Sequence, residues 1–283
     1  MNNIIIKTKN DKNILYFTIP IVILIATCSG IGIWNQKLYL KETVGWLSQC
    51  IGQDISNLIF VSPILLASAF YASKGNRNAK IIWLGTMITN IYSYAIYCFA
   101  VHFNFLFLAY CLILGLSNFS VINFLVENIN EDFRSWFTEK TPTKAVGIFL
   151  FIIAFMFAFL WLSDSLPAVL TNTVPENIIK DNLFTNPIHV LDFAFYLPLM
   201  FISSIMLIKK KALGYLIAPM MMVFALLTNV NIICLMIVTM QKTTSNNIPM
   251  IIGFGIFAFV CLVFLWLFLK NSLYIKDSYG GKG

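Results

Sequence analysis

Asp54-Ile-Ser-Asn57-Leu-Ile-Phe-Val-Ser-Pro63 and His189-Val-Leu-Asp192-Phe-Ala-Phe-Tyr-Leu-Pro198 follow one template. In each, a polar residue is followed three positions later by another, then by an apolar run with proline at the tenth place. A basic cluster opens eleven residues after each proline, at Lys74 and at Lys209. Polar side chains inside long apolar segments are costly in a membrane, and such positions are functional candidates by default.

The surrounding composition makes the membrane the relevant solvent. Of 283 residues, 59% are hydrophobic and 11% charged, and the mean hydropathy is +0.82. Soluble domains carry about 25% charged residues, and a water-soluble fold has nowhere to bury this apolar excess. The net charge of +7 is spread over connecting loops rather than gathered in one domain. It reads as membrane topology, and no nucleic-acid partner is expected. Six cysteines, at 28, 50, 98, 111, 234 and 261, form no C-x-x-C pair. They read as small apolar residues of lipid-embedded helices, with only Cys50 outside the spans.

A helix needs about 20 apolar residues to cross a bilayer. Eight segments approach that length: 14–34, 57–73, 81–101, 105–126, 146–166, 189–208, 212–239 and 250–269. The expected fold is therefore an all-α, polytopic transmembrane helical bundle, a single integral membrane domain over 1–283 with the lipid bilayer as its partner. Fifteen of the nineteen lysines and arginines fall in 7–12, 74–80, 134–144, 209–211 and 270–282. Only Lys37, Lys41, Lys180 and Lys242 fall in the intervening loops. The positive-inside rule then places both termini in the cytoplasm. The first span begins like a signal peptide, and Ile25-Ala-Thr-Cys28 faintly resembles a lipoprotein cleavage site. Its apolar run continues through Trp34, which favours a retained anchor.

Leu40, Val44, Leu47 and Ile51 recur at helical spacing beside Trp46. They predict a short helix lying on the outer membrane surface. In the inner loop 127–145, Phe133, Trp136 and Phe137 are expected at the bilayer interface. Loop lengths and charges also pair spans one to four with spans five to eight. That suggests a 4+4 parallel pseudo-repeat, with halves 14–126 and 146–269. The alternation forced on any polytopic chain accounts for much of the same pattern.

Ionisable groups near helix ends gather on the expected outer side: Asp54, His102, Asp164, His189 and Asp192. His189 and Asp192, and likewise Asp54 and Asn57, share a helical face by their spacing. Tyr92, Tyr94 and Tyr97 lead toward His102 and Asn104. One outward-facing cavity is expected to hold this set. As a solute or proton site it has carboxylates and histidine for a cation or a proton relay, and tyrosines for the walls. As a metal site, His189, Asp192 and Asp164 suit a divalent ion that activates water. No H-x-x-x-H or H-E-x-x-H motif supports the metal, and no cofactor is otherwise predicted. Taken one at a time, these residues also read as helix caps or loop residues: Asp54 and Asp164 at helix ends, and Asn186-Pro187 opening the sixth span. Asp192 fits that reading least, since it lies a full turn inside its apolar segment. Asn90, Asn118, Asn123, Asn229 and Asn231 lie deeper and are expected to bond between helices.

Trp83-Leu-Gly85, Tyr92-Ser-Tyr-Ala-Ile-Tyr97, His102-Phe-Asn104, Phe107-Leu-Ala-Tyr110, Trp161-Leu-Ser-Asp164, Asn186-Pro-Ile-His-Val-Leu-Asp192 and Gly214-Tyr215 carry a family likeness. Over roughly residues 54–220 the chain resembles a widespread group of uncharacterised bacterial multi-pass membrane proteins. The resemblance implies a bacterial inner-membrane location and a shared outer-side polar set, and it implies no reaction. The functional expectation is binding or transport of a small solute or ion through an outward-facing polar pocket. The alternatives are a metal-dependent membrane enzyme and a non-catalytic sensor or complex subunit. No P-loop is present, so any ATP drive comes from a partner.

Overall fold

The protein is described by a computed structural model covering residues 12–273. Lys7, Lys9, Lys276 and Lys282, used above for orientation, lie outside the described residues. Among the described residues, eight helices are long and apolar enough to cross a membrane. They are α1 (Asn13–Trp34), α2 (Val44–Ser73), α3 (Arg77–Ala100), α4 (Phe107–Glu127), α5 (Thr143–Thr171), α6 (Pro187–Ile208), α7 (Gly214–Lys242) and α8 (Ile248–Leu269). The chain is a multi-pass integral membrane protein. Large apolar side chains are exposed along the outside of the bundle; on α8, Ile252, Ile256, Phe259 and Leu262 form one such stripe. Lipid covers such a face at no hydrophobic cost.

The second span differs from its expected form. Val44–Ser56 is no separate surface helix: it runs straight on into the span, and Ile51 is buried. Cys50, expected outside the spans, lies buried within α2. Of the 40–51 stripe, Ile51 packs inside the bundle, while Leu40, which precedes the helix, and Val44 in its first turn stay exposed. Gln49, Gln53 and Asp54 reach polar or cavity-lining positions, so this stretch needs no contact with headgroups. At 30 residues, α2 is about 45 Å long, well beyond the ~30 Å hydrocarbon core. Likewise α5 does not end at Asp164 but continues through Pro167 to Thr171.

The paired template becomes a paired backbone feature. Asn57–Val61 and Asp192–Tyr196 are both single π-helical turns. The Ser62 N–H donates to the Asn57 carbonyl, and the Leu197 N–H to the Asp192 carbonyl. A proline follows each turn, Pro63 or Pro198. Proline has no N–H to donate, and its ring crowds the carbonyl four residues back. A widened turn relieves both problems without breaking the span.

Helix packing also follows one pattern twice. α1 lies on α2 as α5 lies on α6, and α2 meets α3 as α6 meets α7. α3 meets α4 as α7 meets α8, and α1 touches α4 as α5 touches α8. α3 and α7 pack on each other at the centre, and α7 also runs along α2. Close backbone approach makes this possible. A Cβ on Gly52 would lie 2.5 Å from the Leu235 Cα, and one on Gly85 would lie 2.7 Å from the Met220 carbonyl oxygen. Such small-residue contacts are the usual means of close packing between membrane helices.

The loop joining α4 to α5 closes one end of the bundle, the end carrying the basic clusters. Phe133, Trp136 and Phe137 are buried rather than placed at the bilayer interface. Phe137 packs on Phe268 and Tyr215, and the Trp136 indole donates to Glu131 at 2.7 Å. Backbone bonds from Thr138 to Asn271 and from Leu273 to Trp136 tie the loop to the segment after α8. Aromatic residues at a membrane-facing loop suit the headgroup region, but these have protein ring partners that bury them more completely.

Gly52→Ala and Gly85→Ala are expected to lower stability by about 1–3 kcal/mol each through overpacking. Gly115→Ala, whose Cβ meets nothing within 4 Å, is expected to be neutral or to gain up to about 1 kcal/mol from helix propensity. Thermal unfolding of the detergent-solubilised protein measures all three; equal melting temperatures would remove the close-approach account.

Candidate functional site

Between the two halves lies a cavity of about 440 Å³. α3 and α7 form its centre, α5 and α6 one side, and the first half of α2 the other. It reaches from Met200 and Phe224, near the middle of their helices, to Trp46, Thr239 and Asn247 at the end opposite the basic loops. Among the described residues lining it, Asp192 is the one charged side chain.

The π turn of α6 sets Asp192 on this wall. Asn186 accepts from the Ile188 and His189 N–H groups and Pro187 takes the first helical position, as the sequence predicts for this start. The helix then widens at Asp192 itself. The Asp192 side chain is 8% exposed, and its Oδ2 accepts from the Trp161 indole N–H of α5 at 2.7 Å. Tyr92, Tyr196 and Phe224 lie on the same wall and pack on one another, with ring centroids 4.7 to 5.4 Å apart. Asn229 of α7 is buried and spends its amide N–H on the Ala225 carbonyl at 2.6 Å. Its Oδ1 and the hydroxyl of neighbouring Thr228 have no hydrogen-bond partner among the described residues.

The other expected site residues do not share this space but fall into three places. The first is a sealed pocket in the first half. Asp54, 2% exposed, takes the Tyr39 hydroxyl at 2.7 Å and the Tyr97 hydroxyl at 2.8 Å. Gly32 of α1 leaves room for the carboxylate, because a Cβ there would overlap Asp54 Oδ2. Tyr94 stacks on Tyr97, and Tyr110 packs beside both. Asp54 is thus deep in the bundle rather than at a helix end or in an open pocket. Asn57, also buried, accepts from Gln53 at 2.8 Å. Tyr97 alone of this group also lines the cavity.

The second place is a recess behind Trp161. His189 meets Ser165 Oγ at 2.8 Å through Nδ1, and its Nε2 lies 3.9 Å from Asp164 Oδ2. The His189 ring packs on one side of Trp161, while Asp192 takes that indole's N–H. Both side chains thus meet Trp161, in keeping with the shared helical face expected from their spacing. No group of three His, Cys, Asp or Glu side chains comes together among the described residues. The third place is a loop clasp. Glu42 accepts from the His102 backbone N–H at 2.8 Å and faces its ring Nδ1 at 3.0 Å. Asn104 accepts from the Leu106 N–H and starts α4.

Of the deep asparagines, Asn231 bonds another helix, through the Ser56 hydroxyl. Asn118 and Asn229 bond carbonyls of their own helices, and Asn123 bonds Glu127 on its own helix. Neither amide atom of Asn90 has a hydrogen-bond partner among the described residues. Tyr39, Gly32 and Thr228 were not singled out by sequence reasoning, and Trp161 stood out only within a motif of the family likeness. Tyr39 had no local signal, sitting in a short 3₁₀ turn (Gln36–Tyr39) after α1.

In the loop between α5 and α6, Asp181 lies against Gly45 at the start of α2. Burial pushes its carboxyl above the ordinary value of 3.8, while Lys180 and Gln49 pull it back.

Fold and site together define a multi-pass membrane protein with one charged group in an otherwise uncharged internal cavity. No family model matches the chain, and no curated protein or solved structure shows a significant match to it.

Tyr39→Phe and Tyr97→Phe each leave a buried carboxylate oxygen without its donor. Each is expected to lower stability by about 1–3 kcal/mol. Gly32→Ala, which displaces the carboxylate, is expected to cost at least as much. Denaturation of the purified variants tests this; a fully stable double phenylalanine variant would show that the two hydroxyls do not hold Asp54. For Asp181 the sign is opposite to that of a salt-bridged acid. Its stabilising contribution is complete below the ordinary value and is lost as pH rises through the raised one. Asp181→Asn is therefore expected to flatten the stability profile in the mildly acidic range, read by melting temperature against pH.

Proposed function

We propose that this protein takes a small, largely apolar solute into the cavity between its halves and carries it across the membrane. The observation that carries this reading is the position of the cavity. It lies where α3 and α7 of the two similarly packed halves meet, with the buried aromatic loop closing the basic end. Repeat-built transporters bind substrate at such an interface, and rocking of one half against the other exchanges access. Widened turns before Pro63 and Pro198 are natural places for that motion to concentrate.

The charge bias supports an orientation with the basic end, and both termini, in the cytoplasm. In that orientation the cavity opens outward. The likeness to bacterial membrane proteins supports the cytoplasmic membrane of a bacterium as its location.

A brominated benzyl alcohol serves as a test probe, because bromine quenches nearby tryptophan and Trp161 and Trp46 line the cavity. Saturable quenching is expected for the purified protein, and Ala225→Trp, which fills the cavity, is expected to abolish it while the protein stays folded. Quenching that rises linearly in both proteins reflects partition into detergent and removes the reading. A cytoplasm-dependent reporter fused after Gly283 is expected to be active; an inactive fusion at normal expression would reverse the orientation.

A further inference from the structure

We propose that the solute is an amphipathic organic ammonium, its N–H held by Asp192 and its apolar body by the aromatic wall. This rests on the solute-binding reading above and names its ligand class. A carboxylate in a lipid-embedded cavity is expensive unless a counter-charge or sufficient donors meet it. Asp192 receives the Trp161 N–H on Oδ2, and the Tyr92 hydroxyl is a second, uncharged donor to its carboxylate. The groups facing it from neighbouring elements are Tyr92 of α3, Trp161 of α5 and Tyr196 of its own helix, and none is basic. No lysine, arginine or histidine lines the cavity among the described residues. The compensating charge is therefore left for a ligand to supply.

The aromatic lining selects the same chemistry. Tyr92, Tyr196, Phe224 and Trp161 surround this region with π faces. Aromatic faces beside a carboxylate attract a cation when water is excluded. An anionic solute would meet Asp192 with like charge, and a purely apolar one would leave the carboxylate without a counter-charge. Asp54 offers a contrast within the same chain: Tyr39 and Tyr110 fill the space around it, so it has no room for a solute.

The test compares one skeleton with three headgroups: 4-phenylbutylamine, 4-phenylbutanol and 4-phenylbutyrate at neutral pH. Binding to the purified full-length protein is measured by tryptophan fluorescence and by calorimetry. The amine is expected to bind at least about tenfold tighter than the alcohol, equivalent to roughly 1.4 kcal/mol, with the carboxylate weakest. Asp192→Asn is expected to remove the amine's advantage over the alcohol. Equal binding of amine and alcohol by the unaltered protein, as when Asp192 takes up only a proton, overturns the ammonium assignment and leaves the cavity reading intact. Tightest binding of the carboxylate does the same. Binding of none of the three overturns the cavity reading itself. The headgroup comparison needs no variant, so it stands even if Asp192→Asn fails to fold.

Discussion

A carboxylate inside a lipid-embedded bundle must be met by donors or by opposite charge, and the two halves of this protein meet that demand differently. In the first half, Asp54 is enclosed: two tyrosine hydroxyls reach it and Gly32 makes room for it. In the second, Asp192 has the Trp161 indole and the Tyr92 hydroxyl as donors and an unfilled cavity beside it. Similar packing of the helices therefore yields one pocket closed by its own side chains and one left open. The difference is made by side chains, chiefly Tyr39, Tyr94, Tyr97 and Tyr110, rather than by a different arrangement of spans.

The prolines connect this electrostatic problem to the backbone. Pro63 and Pro198 each remove a donor from the middle of a span, where no water replaces it. The π turns that absorb this loss begin at Asn57 and Asp192, so backbone accommodation and polar side chain fall on the same turn. In α6, His189 and Asp192 lie just ahead of the widened turn and at its first residue, and both meet Trp161, one through its ring and the other through the indole N–H. α3 and α7 pack on each other at the centre of the bundle, with Gly85 allowing close contact.

Much of the fold was legible because lipid imposes so simple a rule. A long apolar run has to be a helix, and six of the eight spans lie within about four residues of their expected limits, while α5 runs on to Thr171. The larger exception, α2, carries Gln49, Gln53 and Asp54 in its first half, and a polar stretch looks the same whether it faces headgroups or protein. Phe133, Trp136 and Phe137 were misplaced for the converse reason: aromatic residues suit an interface and a plug equally well. The polar residues of the candidate site were largely visible one by one, because ionisable groups are rare in such a chain. Their grouping was not, since helical spacing relates residues on one helix and says little about which helix they face. His189 and Asp192 share a face, as their spacing predicts, but only the tertiary structure shows that this face meets Trp161.

Composition and the distribution of apolar runs and charges were by themselves enough to determine a multi-pass α-helical membrane protein with eight spans, and the repeated Asp–Asn and His–Asp templates marked where two of those spans would be unusual. Only the tertiary structure decided that the templates become widened turns, that Asp54 is sealed while Asp192 faces a cavity, and that Trp161, Tyr39 and Gly32 belong to these sites. The physical reason is range. Partition into lipid acts on each segment almost independently and is written in local sequence. Donor–acceptor pairing and the filling of space depend on which side chains of different helices meet, and no single segment contains that information.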